Sequence, residues 1–122
     1  VAESTFGIDS GAEAAERLMC LEERTTAIFA VNDNTAIGAL STLTRRGLSV
    51  PNDISLVGYN DVPIVKSLPV PLTSVRVPFD QIARAALDLL GREAGGRAET
   101  IVATPTLIPR RSTAAPRSFE IR

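Results

Sequence analysis

Two short apolar runs, TAIFAV at residues 26–31 and ISLV at residues 54–57, constrain this chain more than any other feature. Both carry β-branched residues and neither alternates apolar with polar. A strand needs no polar side chain only when both its faces are covered, so such runs predict a parallel sheet with helices on either side. The segment between them, residues 32–46, places Ala36, Ile37, Leu40 and Leu43 on one helical stripe. Arg45 and Arg46 suit the negative end of that helix, and Gly47 suits the position just past it. Before the first run, residues 11–23 put Ala12, Ala15, Leu18 and Met19 on one face, with Asp9 or Ser10 available as cap. Helix, strand, helix, strand with short connections predicts an α/β fold, a parallel sheet flanked by helices.

Beyond Gly58 the pattern changes. Pro63, Pro69, Pro71 and Pro78 forbid a long helix, and a short extended run, residues 72–77, lies among them. A third helix is predicted over residues 79–93, with Ile82, Ala83, Ala86, Leu87 and Leu90 on one face. GREAGGRAE reads as an exposed turn, residues 100–108 as extended and interrupted by Pro105, and the polar tail past Pro116 as frayed. A length of 122 residues suits one domain or part of a larger one, and the absence of an initial Met fits a piece of a longer protein.

Composition excludes much chemistry. The chain has no His and a single Cys, Cys20, so no Ser-His-Asp or Cys-His nucleophile system, no His/Cys zinc site and no internal disulfide can be built. Cys20 falls in an apolar helical pattern and reads as a small buried hydrophobe. No metal or other cofactor is expected. No apolar run approaches the ~20 residues that span a bilayer, and no signal peptide is visible, so a cytoplasmic location is expected. The net charge of −1 gives this segment no reason to bind nucleic acid by itself. Residues 1–61 hold 4 basic and 9 acidic groups, and residues 62–122 hold 9 and 5. The basic residues of the second half are scattered apart from the Arg110–Arg111 pair, and all of them read by default as solvated surface.

Both predicted strands run into polar clusters, Asn32-Asp33-Asn34 and Tyr59-Asn60-Asp61, where Gly58 is expected to end the second strand. Ligands of open α/β sheets bind at the carboxyl ends of the strands. If the strands are neighbours, Asn32 and Asn60 stand at one edge, and amides with acids suit a ligand rich in hydroxyls. Simpler readings compete: helix capping for the first cluster and a loop with Asx-turn bonding for the second. Phe6 is either a core aromatic or a stacking platform. Asp33 and Asp61 could form a carboxylate pair, but no general base near neutral pH accompanies them, so no enzyme is expected.

The pieces TAIFAVND followed by AIGAL, RRGLSVPNDISLVGYND, PLTSVRVP and the tail LIPRRSTAAP, in this order, closely resemble the effector-binding region of the lactose/galactose-repressor family of bacterial transcription regulators. The resemblance covers nearly the whole chain. It implies a periplasmic-binding-protein-like core in which two α/β subdomains close on a small molecule, often a sugar. Residues 1–76 and 105–116 would belong to the C-terminal subdomain, with the helix over 79–93 crossing to the other. It also implies a homodimer and binding of operator DNA through an N-terminal helix-turn-helix domain that this chain does not contain. By position, Phe6 matches an aromatic that stacks on the effector, Asn32 a polar residue that bonds ligand hydroxyls, and Phe79 an aromatic found in some relatives. Asn60 falls where many relatives have Asp, and Val77 where some have Gln, so a different effector is implied. Val62, Ile64, Val65 and Leu68, taken as exposed, match the dimer interface. A periplasmic sugar-binding transport protein of the same architecture is the alternative.

Overall fold

Two helices meet where neither has a side chain. Helix α1 (Ile8–Met19) crosses helix α2 (Asp33–Arg45) at Gly11 and Gly38. A Cβ at Gly38 would overlap the Ile8 carbonyl oxygen, and one at Gly11 the carbonyl of Thr35, so the two backbones touch. Thr42 Oγ1 then donates to the Ala12 carbonyl at 3.1 Å, and Ala15, Ala36, Ala39 and Leu43 fill the space beneath. The computed structural model describes residues 1–91 and 99–116.

α1 starts three residues earlier than its apolar stripe predicts and ends at Met19 rather than Glu23. Neither Asp9 nor Ser10 is the cap. Gly7 occupies that position, while the Ser10 hydroxyl accepts from Thr5 N and donates to the Gly7 carbonyl. Glu22 and Glu23 oppose the negative end of the helix dipole, which favours an early stop. Cys20 therefore lies past the last turn and is exposed, not buried as its place in the pattern suggests. α2 follows the sequence closely. Asn32 caps it, and Gly47 takes a left-handed φ of 72° just beyond.

The sheet runs in the order β1 (Ala27–Phe29), β2 (Ser55–Asn60), β3 (Thr73–Arg76), β4 (Thr106–Ile108). β1, β2 and β3 are parallel, as predicted, but β4 pairs antiparallel with β3. The reversal is topological: the chain leaves along β3, forms helix α3 (Phe79–Leu90) and returns along β4. Coverage of the sheet is one-sided. Leu56 and Gly58 are buried, but Phe29 is 65% exposed, so β1 is an edge strand rather than a strand covered on both faces. β2 does not stop at Gly58; it continues to Asn60.

A short 3-10 turn (Pro63–Ser67) follows β2 and inserts Val65 into the core with Leu43, Leu56 and Leu72. Val65 is therefore fully buried, which removes it from any exposed interface; Val62 and Leu68 are partly buried against the same core, and Ile64 alone of the four is largely exposed. None of α3 is buried, and its apolar residues Phe79, Ile82, Leu87 and Leu90 face outward. The predicted turn over 91–99 and the tail past Pro116 lie mainly outside the described residues.

The glycine contact can be tested by paired substitution. Gly38→Ala must push the helices apart and should cost about 3 kcal/mol. Gly47→Ala meets open space and carries only the left-handed backbone penalty, about 1 kcal/mol. Urea denaturation of both variants gives the comparison.

Candidate functional site

At the start of α2, Asn32 commits both ends of its amide. Its Oδ1 accepts from Thr35 N at 2.8 Å, capping the helix, and its Nδ2 donates to the Phe6 carbonyl at 3.0 Å. Phe6 sits at a left-handed φ of 64°, and the residue is 61% exposed. A non-glycine residue holds such a conformation only when its surroundings demand it. The structure thus brings Phe6 and Asn32 together, with the aromatic ring free and the amide serving as its anchor.

Asn60 closes the neighbouring strand at the same level. Phe29 and Val57 are register partners of β1 and β2, and Asn32 and Asn60 each lie three residues further on. The carboxyl edge inferred from the sequence is therefore real. Asn60 adopts φ 103°, is half-buried, and its side chain makes no hydrogen bond to any described residue. Its register partner across β3 is Arg76, with Val77 next in the chain. Phe79 begins α3 as an exposed residue, and its N–H donates to the Val77 carbonyl at 2.9 Å. No hydrogen bond joins Phe79 to Phe6, Asn32 or Asn60 among the described residues.

The two aspartates do not face each other across a reaction site. Asp33 is fully buried behind the edge, where Oδ1 accepts from the Ser74 hydroxyl at 2.7 Å and Oδ2 from Val62 N at 2.8 Å. Gly58 stands in β2 because a Cβ there would collide with Asp33 Oδ1. Asp61, its side chain 2% exposed, pairs with Arg76 through Oδ2 and with Arg110 through Oδ1, each at 2.6 Å. Burial pushes the Asp61 carboxyl upward, but the bonds from Arg110 and then Arg76 outweigh it and hold the group below the usual aspartate range. Neither carboxylate is available as a general base.

Several residues here were not singled out from sequence. Arg76 and Arg110 read as solvated surface, yet Arg110 is half-buried and also donates to the Leu72 carbonyl at 2.8 Å. Ser74 and Ser112 carry no signal beyond their small size. The Ser112 hydroxyl accepts from Thr73 N at 2.7 Å and donates to the Leu56 carbonyl at 2.5 Å, stitching the tail across two strands. A groove of about 770 Å³ runs along the outer edge of β1, lined by Phe6, Ala14, Leu18, Phe29 and Val31 among others; of the candidate residues, only Phe6 lines it.

The family described as a periplasmic binding protein-like domain matches residues 1–113. The lactose operon repressor of Rhizobium radiobacter is 42% identical over 89 residues, 73% of this chain and 79% of that protein. The HTH-type transcriptional repressor PurR of Vibrio campbellii is 36% identical over 90 residues, 74% of this chain but 27% of its own length. A LacI family transcriptional regulator from Enterococcus faecalis, crystallised with bound ribose, superposes with a TM-score of 0.85 at 30% identity over 94% of this chain and 43% of that one. Among the described residues no helix is long and apolar enough to cross a membrane.

Removing the Asp33 carboxylate leaves Val62 N–H and the Ser74 hydroxyl buried without acceptors, so Asp33→Ala should cost roughly 3 kcal/mol in chemical denaturation. Asp61 acts through pH. Its folded pKa lies below its unfolded value, so its stabilisation is complete above about pH 4 and is lost as pH falls through the lower folded value. Asp61→Asn should flatten that acid limb, while the decline from other carboxylates remains. Melting temperatures between pH 2.5 and 6 test this.

Proposed function

This chain belongs to the lactose/galactose-repressor (LacI) family of transcription regulators through its periplasmic binding protein-like domain, and on that premise we propose that it is the part of a repressor that binds a small-molecule effector, a carbohydrate. The observation that carries the reading is the carboxyl edge of β1 and β2. There the half-buried Asn60 amide has no partner among the described residues, and beside it the Phe6 ring is presented by Asn32. An amide offers both a donor and an acceptor to a sugar hydroxyl, and an exposed ring offers an apolar face for stacking.

Residues 1–76 and 105–116 form most of the C-terminal subdomain in this reading. α3 belongs against the N-terminal subdomain, which accounts for an amphipathic helix with no buried residue, and it brings Phe79 to the cleft. Asn32 acts chiefly by holding Phe6. The effector is bound and released unchanged. It stabilises one closure angle of the two subdomains, and that angle sets the spacing of two DNA-binding heads in a cytoplasmic homodimer. The heads lie in an N-terminal domain outside this chain. The dimer contact uses α2 and the turn after β2, with Ile64 as the exposed apolar group and Val62 and Leu68 behind it; Val65 serves the core instead.

Calorimetry on the intact regulator, with ribose and lactose as the first probes, checks the site. Asn60→Ala should weaken binding by about 1–3 kcal/mol, the usual cost of leaving a buried polar partner unmatched. Phe6→Ala should weaken it by roughly 1 kcal/mol through lost ring contact. Unchanged affinity in both variants would remove this edge as the effector site.

A further inference from the structure

Asn60 is not positioned by its own side chain. It and Asp61 both hold left-handed backbone angles, φ 103° and 58°, which a non-glycine residue keeps only under constraint. The constraint comes from the next two residues. Asp61 N donates to Ser74 Oγ at 3.1 Å, Val62 N donates to Asp33 Oδ2 at 2.8 Å, and the Asp61 carboxylate is locked between Arg76 and Arg110.

Arg76 has a second significance. It is the last residue of β3, immediately before the segment that leads to α3, and it is the register partner of Asn60. Its side chain is 57% exposed, yet it turns two nitrogens onto one oxygen of Asp61, Nε at 2.8 Å and Nη2 at 2.6 Å. No residue of α3 is buried, and the helix joins the sheet through the ends of β3 and β4. On that side only Val77 and Pro78 separate α3 from Arg76, so Arg76 is the point at which a displacement of α3 meets β3.

We propose that Asp61 and Arg76 are a positioning pair, which sets the Asn60 amide and couples it mechanically to the crossover leading to α3. The proposal rests on the reading of Asn60 as an effector contact. An effector bonded to Asn60 then loads the same ion pair that anchors the crossover, so binding at the edge and placement of α3 are linked without any contact between Asn60 and α3 itself.

The test uses the intact regulator with Asp61→Asn, Arg76→Met and Arg76→Lys. Asn tolerates the left-handed backbone, so Asp61→Asn isolates the loss of charge. In ligand-free protein, hydrogen exchange of the amides of residues 60–62 should quicken about tenfold in Asp61→Asn and Arg76→Met, the change expected on losing a charge-assisted hydrogen bond, and stay near wild type in Arg76→Lys. Amides of α2 and β1 should not change. Affinity for ribose or lactose, whichever the wild type binds, should fall about tenfold in the first two variants and recover in the third. Exchange at 60–62 that ignores Arg76→Met overturns the proposal, as does acceleration spread equally over α2 and β1, which marks a merely structural pair. Sugar affinity unchanged in the variants also overturns it while leaving the effector reading intact. A wild type that binds neither sugar counts against the sugar reading, and the exchange measurements still decide the pair.

Discussion

The carboxylate of Asp33 is the interaction on which the rest of the carboxyl edge depends. It is buried, which is costly for a charge, and it is held there by a hydroxyl, a backbone N–H and the positive end of α2. From one position in the first turn of a helix it reaches β3 through Ser74 and the loop after β2 through Val62. β2 passes beneath it at Gly58, where no side chain could fit. Helix, two strands and loop are therefore registered to one another by a single group. Asn32, one residue earlier, is left to cap the helix and hold Phe6, and Asn60, two residues before Val62, is carried to the front of the edge.

The opposite end of the sheet is closed by a comparable device built from the tail. Ser112 accepts from β3 at Thr73 N and donates to the Leu56 carbonyl of β2, and its own carbonyl accepts from Leu56 N at 2.8 Å. Arg110 N donates to Thr73 Oγ1 at 2.9 Å, while its side chain crosses to Asp61. The returning chain thus satisfies backbone groups that the short strands leave open, and each would be costly to bury unpaired. It also explains why β4, a strand of three residues with little buried surface, is held in place.

Sequence patterning was informative where a local rule dominates. The α2 stripe, its Asn cap and its glycine stop all depend on spacing within a few residues, and all three were legible. So was the parallel pairing of β1 with β2, since an apolar run joined through a helix to another has few alternatives. The α1 boundaries were less legible because its entry is set by backbone contact between Gly11, Gly38 and their neighbours across two helices. Cys20 and Val65 were misplaced for related reasons. One fell just beyond a helix that ends early, and the other lies in a proline-rich turn whose inward residue is chosen by the core rather than by periodicity. At the site, Asn32 and Asn60 were found at the edge, but the uses of Asp33 and Asp61 were not.

By itself, then, the amino-acid sequence determined the α/β order, the stripe and ends of α2, the edge at which polar residues gather, and the resemblance to repressors that the comparisons bear out. Tertiary structure alone decided which polar residues are spent and which are free. Asp33, Asp61, Arg76, Arg110, Ser74 and Ser112 are committed to partners between 13 and 56 residues away, while the Asn60 side chain has none among the described residues. No local pattern encodes that distinction. A carboxylate or amide has the same hydrogen-bonding capacity wherever it stands, and only the approach of distant segments settles whether that capacity is filled from within the chain.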